Sequence, residues 1–353
     1  MGGESQLVRI GVLGASGYAG GELVRLLAAH PATEVTFLGA RDSVGSTLAE
    51  AHPYLAPTSV AGLPLRAVEA ETIVEAAEVV FASLPHGATA VIAPELLERG
   101  VRVIDLSGDF RLEPDSYPEW YGFEHPSPGW LGKAVYGLPE LFGPQVAGAQ
   151  LVANPGCYPT PVILGLAPLL KAGLVEATPI VVDGKTGLSG AGRGANEATT
   201  YAATEESVRP YRAPRHQHTP EMERGLELAT GHAVAVLFVP HLVPTVRGVL
   251  TTSYATLTPG TTTEALTECL VEAYEDRPFV RVLPPGGMVD SKRVRGTNVV
   301  ELQALADPRT GKAVVVGTVD NLVKGAAGQA IQNLNLMLGL PEATALPTVA
   351  VYP

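Results

Sequence analysis

Cysteine is nearly absent from this chain, with only Cys157 and Cys269 in 353 residues. So few thiols exclude a disulfide framework and point to a reducing cytoplasm. Positive charge is also scarce: 24 Lys and Arg stand against 36 Asp and Glu, a net charge of −12. That balance argues against a nucleic-acid or anionic-membrane surface, which needs clustered Lys and Arg. It leaves room for a small anionic substrate, because a site is set by local charge. The opening MGGESQLVRIGVLGASG has neither the basic start nor the apolar run of a signal peptide. A charge-free stretch runs from Leu141 to Leu170, but Gly and Pro interrupt it, and its Gln and Asn suit a buried core rather than a bilayer span. No internal repeat or low-complexity linker occurs.

What is present is an ordinary apolar fraction of 46% in a chain longer than one core usually organises, so two domains are expected. The first half alternates apolar strands with amphipathic helices. Strands are predicted at Val8–Leu13, Glu34–Ala40, Val79–Leu84 and Val101–Leu106, and helices at Tyr18–Ala29 and Ala88–Glu98. This rhythm implies a parallel sheet covered on both faces. After about residue 150 the pattern changes. A helix at Thr160–Lys171 is followed by β-type stretches at Ile180–Asp183, Ala233–Val239 and Val246–Leu257, then a helix at Thr263–Tyr274. Asn298–Ala306 and Ala313–Val319 flank the turn sequence Asp-Pro-Arg-Thr-Gly and should form a hairpin. A mixed or antiparallel sheet with helices on one face follows. A last helix is expected over Asn321–Leu338.

The first strand runs into Gly11-Val-Leu-Gly14-Ala-Ser-Gly17-Tyr-Ala-Gly20. Glycines at a strand-to-helix junction allow a tight turn and let backbone N–H groups approach a pyrophosphate at the helix N-terminus. The spacing is Gly-x-x-Gly-x-x-Gly, and its position after the first strand carries more weight than the bare pattern. Cofactor choice would be read after the second strand. There Arg41 and Ser43 suit a 2′-phosphate, whereas Asp42 suits ribose hydroxyls or is a solvated turn residue.

Asn154-Pro-Gly-Cys157-Tyr-Pro-Thr160 stands between a short strand, Gln150–Ala153, and a helix. A thiol at a helix N-terminus meets the positive end of the macrodipole and unsatisfied N–H donors, both of which favour thiolate. The same donors, the amide of Cys157 included, suit an oxyanion on an attacked carbonyl. Cys269, in an ordinary helical pattern, reads as a small buried residue. A thiolate needs a proton handler. Arg215-His216-Gln217-His218-Thr-Pro-Glu221 is the densest histidine cluster, and either ring qualifies; His241 and His86 are the others. No third ligand with metal spacing stands near, so no metal is expected.

Taken in order, the motifs resemble the N-acetyl-γ-glutamyl-phosphate reductase family of the aspartate-semialdehyde dehydrogenase superfamily, over nearly the whole chain. They are Gly14-Ala-Ser-Gly-Tyr-Ala-Gly20, His52-Pro53, Leu84-Pro-His-Gly87, Ile104-Asp-Leu-Ser-Gly-Asp-Phe-Arg-Leu112 and Tyr136-Gly-Leu-Pro-Glu140. Asn154–Thr160, Ser189-Gly-Ala-Gly-Arg193, His216–Glu221, Arg247-Gly248 and Asp320-Asn-Leu-Val-Lys-Gly325 complete the set.

The resemblance implies an α/β fold, with a Rossmann-type parallel-sheet domain at 1–153 and 320–353 and an α+β catalytic and oligomerisation domain at 154–319. It implies NADP(H) held by Gly14, Ser16, Gly17, Tyr18 and Ala19 at the pyrophosphate and by Arg41 with Ser43 near the 2′-phosphate. Pro85, His86, Gly87, Ser189 and Gly190 would line the cofactor cleft, and Asn321 would reach the carboxamide. Cys157 would be the nucleophile and His218 its acid–base partner, with His216 the second choice. Arg111 would meet the substrate phosphate, and Asn154, Glu221 and Arg247 are further substrate-site candidates. The implied reaction, in arginine biosynthesis, converts a small acyl phosphate through a Cys157 thioester to N-acetylglutamate semialdehyde. A homo-oligomer, dimer or tetramer, is expected, with no nucleic acid and no membrane.

Rival readings are distinguishable by residues. Reductases of carrier-bound aminoadipyl or glutamyl phosphate tend to carry Ala-Gly-Cys-Asn-Ala-Thr at the nucleophile, unlike Asn154–Thr160. Aspartate-semialdehyde dehydrogenase itself fits the motif around His218 less well. A nucleotide-binding regulatory protein would have no need of Cys157, His218 and Arg111 together.

Overall fold

The computed structural model describes residues 6–194 and 197–352. They form two compact units, one of residues up to 155 with 326–346, the other of 156–325 with the residues from 347.

The first unit is built on a seven-stranded sheet of β1 (Val8–Leu13), β2 (Thr33–Gly39), β3 (Leu65–Arg66), β4 (Val79–Ala82), β5 (Arg102–Asp105), β6 (Val135–Tyr136) and β7 (Leu151–Ala153). Their order is β3-β2-β1-β4-β5-β7-β6, and every pairing is parallel. Strands covered on both faces cannot alternate, which is why Val79–Ala82 is apolar and buried at every position. The order reverses between β1 and β4, the place where open parallel sheets take ligands at the carboxyl ends of their strands. The helix Tyr18–Leu27 leaves β1 there.

The C-terminal helix, Gly328–Met337, belongs to this unit and is buried at nine of its ten residues. It is held by side-chain amides. Asn333 Nδ2 donates to the Gly137 carbonyl at 2.9 Å and to Asn154 Oδ1 at 3.0 Å, and Gln329 Nε2 donates to the Gly137 carbonyl at 2.8 Å. The helix expected from Asn321 begins only at Gly328 and is preceded by a π-helical turn at Val323–Ala327. The cause is Asp320, whose carboxylate accepts from the Leu322 and Val323 amides while its carbonyl accepts from Gly325 N, five residues on. The stretch 320–353 is therefore divided: 320–325 and the residues from 347 lie in the second unit, where the Pro347 carbonyl accepts from Asn298 N and the Thr348 carbonyl from Arg281.

The second unit holds β8 (Ile180–Thr186), β9 (Arg209–Pro210), β10 (Val236–Leu242), β11 (Val249–Thr256), β12 (Val280–Val282), β13 (Val300–Asp307) and β14 (Lys312–Val319). The sheet order is β12-β13-β14-β11-β8-β10-β9, and the sheet is mixed: β8 with β10 and β12 with β13 are parallel, the rest antiparallel. The hairpin between β13 and β14 closes through Asp307, whose carboxylate takes the Arg309 amide and the Thr310 hydroxyl. The stretch expected at Ala233–Val239 lies three residues further on because Gly231, at φ +76°, ends the preceding helix and the chain reaches the sheet only at Val236.

Helices Pro159–Lys171, His218–Thr230 and Thr263–Tyr274 cover one face of this sheet. The first lies very close. A methyl at Gly165 would come within 2.8 Å of Val315 Cγ1, and one at Gly317 within 2.8 Å of Pro161 Cβ. No helix among the described residues is long and apolar enough to cross a membrane.

Asn333→Leu removes a side-chain donor from Asn154 Oδ1 in a buried setting, while Gly137 keeps Gln329. Denaturant unfolding should show a loss of about 1–3 kcal/mol, the cost of stranding a buried acceptor. Unchanged stability would show that these amides do not hold the helix.

Candidate active site

The turn that carries Cys157 is set within the second unit by two fixed points. Gly156 N donates to Glu221 Oε1 at 2.7 Å, and the Gly156 carbonyl accepts from Thr160 N at 3.2 Å and Thr160 Oγ1 at 3.1 Å. Cys157 is thereby held, half-buried, immediately ahead of the thirteen-residue helix Pro159–Lys171. Pro159 at its start lacks an N–H that would otherwise stay unpaired. Gly325 lies against the cysteine, where a methyl would be 2.8 Å from Cys157 Cβ. Cys269 differs in kind: burial first, and then Glu272, push its thiol up.

His218 opens the helix His218–Thr230. Its ring lies over Gly156, where a methyl would stand 2.5 Å from Nε2. The same Nε2 is 4.0 Å from Glu221 Oε2, on a carboxylate with 0% exposure. His216 is placed differently. Its Nδ1 accepts from the His218 amide at 3.1 Å, and its ring is boxed by Tyr158, Tyr211, Phe238 and the His218 ring. His218 is thus the imidazole beside the Cys157 turn, and His216 accepts the His218 amide.

Tyr158 follows the cysteine and packs edge-on against His218 and Phe238, over a Gly184 that has no room for a Cβ. Its hydroxyl donates to the His241 carbonyl and receives that of Tyr211, both at 3.4 Å. Burial pushes both phenols well above their ordinary range, so they remain neutral. His241, the third histidine candidate, pairs instead with Asp183 at 3.1 Å.

A second cluster in this unit gathers the later motifs. Asn321 Oδ1 accepts from Gly248 N at 2.8 Å, and its Nδ2 donates to Ser189 Oγ at 2.9 Å. Ser189 Oγ donates to the Val246 carbonyl, and Gly190 lies 3.9 Å from the Asn321 amide when extended by a methyl. Arg247 lies 3.4 Å from Asp320, whose Oδ2 also takes Gly296 N at 2.7 Å.

In the first unit the glycine loop is cramped as its sequence requires. Gly14, at φ +80°, would put a methyl 2.1 Å from the Ser83 carbonyl oxygen, and Gly20 would put one 2.2 Å from the Gly14 carbonyl oxygen. Gly17 is the N-cap of helix Tyr18–Leu27, and Tyr18 and Ala19 form its first turn. The glycines let the backbone close tightly on itself and on Ser83 at a helix start, a turn that fits a pyrophosphate group. Arg41 is exposed and paired with Asp42 at 3.2 Å, beside a half-buried Ser43.

Pro85, His86 and Gly87 are tied to the Asp-Leu-Ser-Gly-Asp-Phe-Arg motif. His86 Nδ1 accepts from Gly108 N, and the Asp109 carboxylate accepts from Gly87 N at 2.7 Å and Ala90 N at 3.0 Å, capping the helix Ala88–Glu98. Burial, and next Asp109, push Asp105 up to about 7, with Ser107 and Arg111 pulling the other way.

Arg111 is 7% exposed and donates through Nε to the Asn154 carbonyl at 2.8 Å and through Nη2 to that of Leu106 at 3.0 Å. Asn154 is fully buried and donates to the Ala326 carbonyl. Sequence reasoning assigned no function to Tyr158, Tyr211, His52, Asp320 or Gly325. Tyr158, His52, Asp320 and Gly325 lay inside motifs that it had singled out. Among the described residues no group of three His, Cys, Asp or Glu side chains could hold a metal ion.

Comparison with known proteins divides the chain along similar lines. Residues 9–149 match the family model "Semialdehyde dehydrogenase, NAD binding domain" and residues 157–321 match "Semialdehyde dehydrogenase, dimerisation domain". The N-acetyl-gamma-glutamyl-phosphate reductase of Brevibacillus brevis is 45% identical over 98% of this chain and 100% of its own length. That of Symbiobacterium thermophilum is 47% identical over 98% and 99%. Among solved structures, aspartate semialdehyde dehydrogenase II from Vibrio cholerae superposes with a TM-score of 0.73 at 18% identity, covering 95% of this chain and 99% of that one. The Candida albicans enzyme, solved with NADP, gives 0.66 at 18% over 94% and 99%. At that identity these structures attest the two-domain fold. Full-length identity to the reductases carries the rest: this chain belongs to the N-acetyl-gamma-glutamyl-phosphate reductase family.

Proposed function

We propose that this chain reduces N-acetyl-γ-glutamyl phosphate to N-acetylglutamate 5-semialdehyde with release of phosphate, using NADPH. The observation that carries the chemistry is Cys157 at a helix start, with the His218 ring against the adjacent Gly156 and Glu221 anchoring both.

His218 takes the thiol proton and the Cys157 sulfur attacks the acyl carbon. The amide of Cys157 and the first turn of the helix stabilise the oxyanion, which expels phosphate and leaves a thioester on Cys157. Bound NADPH supplies the hydride that reduces this thioester. The resulting thiohemiacetal oxyanion reforms a carbonyl as the C–S bond breaks, and His218 returns its proton to sulfur. Glu221 holds the Gly156 amide and stands 4.0 Å behind the imidazole, favouring its charged form between the two proton transfers.

Gly14, Ser16, Gly17, Tyr18 and Ala19 would hold the coenzyme pyrophosphate, and Arg41 with Ser43 a 2′-phosphate. Pro85, His86 and Gly87 would flank the coenzyme, with Ser189, Gly190 and Asn321 serving its nicotinamide end. Arg111 and Asn154 act by shaping the turn before Cys157, since the arginine is committed to the Asn154 carbonyl. Arg247 and Glu221 are the charged groups of the second unit assigned to the substrate region. Dependence on a reduced Cys157 fits a cytoplasmic setting.

A second copy of the chain is the proposed partner. Across the second sheet, Leu237, Val181, Tyr254, Val314 and Leu305 stand in one lateral row on the face away from the helices. Leu237 is 49% and Tyr254 39% exposed. An apolar row of this kind is rarely left to water.

The reaction is tested in reverse: semialdehyde with phosphate and NADP against the same mixture with NAD, and against aspartate semialdehyde. Acetylglutamate semialdehyde with NADP should turn over fastest; preference for aspartate semialdehyde would overturn the substrate. Cys157→Ser should lower turnover about a thousandfold or more while NADPH still binds, and iodoacetamide should label Cys157 far faster than Cys269. Substantial activity in that variant would refute the nucleophile.

His218→Asn should lower kcat by about 10²–10⁴-fold with little change in KM; a larger loss from His216→Asn would reverse the assignment. Leu237→Glu should shift the chain to a monomer in sedimentation, and a wild type that is already monomeric would remove the proposed interface.

A further inference from the structure

We propose that Gly325 is a positioning residue for the nucleophile: held in place by Asp320, its bare main chain is the wall against which Cys157 Cβ is set. This rests on the reading of Cys157 as the attacking sulfur.

Apart from Asn321, the segment 320–325 has no part in the chemistry described above, yet the fold secures it closely. Asp320 directly follows β14 and is 0% exposed. Its Oδ1 accepts from Leu322 N at 2.8 Å and Val323 N at 3.3 Å, and its Oδ2 from Gly296 N at 2.7 Å. Its carbonyl accepts from Val323 N at 3.2 Å and from Gly325 N at 2.9 Å. A carboxylate taken this far from water holds its donors firmly, because an unpaired charge there is costly. The Gly325 amide is therefore located by a residue that is itself tied to a strand end and to Gly296. Asn321 adds a further tie by accepting from Gly248 N at 2.8 Å.

What this turn brings to the cysteine is a missing side chain. A methyl at Gly325 would lie 2.8 Å from Cys157 Cβ and 3.2 Å from Cys157 Cα, with the Asp320 carbonyl oxygen also at 3.2 Å. The backbone of Gly325 is not left-handed, so glycine is needed here for space alone. Carbon atoms in contact settle about 3.5–4.0 Å apart, so the methyl would displace the cysteine by roughly 0.7 Å or more. The turn can yield little, because the carbonyl that holds the Gly325 amide is the next atom the methyl meets.

Cys157 is thus located twice. Gly156 N, just before it, meets Glu221 Oε1 at 2.7 Å, and its own Cβ meets Gly325. With Cβ set, the sulfur keeps only rotation about the Cα–Cβ bond, among the staggered positions. Attack on an acyl carbon tolerates little misplacement, and about 1 Å costs on the order of a hundredfold in rate.

The test is Gly325→Ala in the full-length protein, assayed with acetylglutamate semialdehyde, phosphate and NADP, and alkylated with iodoacetamide. The kcat should fall about 10–100-fold and Cys157 alkylation should slow about tenfold, with KM for NADP nearly unchanged. Cys269, in the same unit, is the internal reference and should react at its wild-type rate. Wild-type kcat in the folded Ala variant would overturn the proposal. So would a Cys269 that reacts faster than in the wild type, which marks a general loosening of the unit. Where Gly325→Ala does not fold, its combination with Cys157→Gly should, because the struck atom is gone, and it should unfold at nearly the same denaturant concentration as Cys157→Gly alone. A double variant that still fails would overturn the contact as the cause. Turnover that survives Cys157→Ser would instead remove the nucleophile reading, and this inference with it.

Discussion

A single buried carboxylate organises the second unit. Glu221 is sealed from solvent, and burying its charge is costly unless donors surround it. It lies in the first turn of His218–Thr230, where the helix dipole favours an anion, and it accepts the Gly156 amide at 2.7 Å. That bond joins two segments 65 residues apart, the turn presenting the sulfur and the helix presenting the imidazole. The turn before Cys157 has no regular element of its own to fix it, whereas Glu221 and His218 are set on a helix. With the bond in place, the absent side chain of Gly156 lets His218 approach, and the absent side chain of Gly325 lets the chain close on Cys157 from elsewhere in the same unit.

The aromatic box behind this pair performs a complementary task. His216 receives the His218 amide on Nδ1, so its own proton resides on Nε2, and the two imidazoles have unlike roles although they are two residues apart. Tyr158 and Tyr211, kept neutral by burial, pack beside them without adding charge. The sequence alone leaves both histidines open because spacing cannot say which ring faces the sulfur. Only the approach of Nε2 to Gly156 separates them.

Legibility followed the range of the interaction. The hairpin at Asp307–Gly311 and the helix after Cys157 have causes inside ten residues, and the glycine loop after β1 announces its left-handed turn by its spacing, so each was readable from the chain. The π-helical turn before Gly328 was not. Its cause, an Asp320 that caps its own following residues, gives the same apolar periodicity as an ordinary helix start. Arg111 was legible as a cation but not as one committed to the Asn154 and Leu106 carbonyls. Glycines posed the sharpest difficulty. Gly14 serves a left-handed turn, while Gly21, Gly156 and Gly184 make room for a side chain that arrives from a distant segment, and a string of letters writes both kinds alike.

The second sheet explains why Cys157 and the apolar row share one unit. Strand β10 carries Phe238 towards the helices, where it packs on Tyr158 and His216, and Leu237 towards the opposite face. Its residue His241 receives the Tyr158 hydroxyl through the main chain and meets Asp183 through the side chain. Alternation along a strand makes this unavoidable, since consecutive residues must face opposite sides. Any restraint on the outer face would therefore pass, through one strand, to the aromatic residues that back His218.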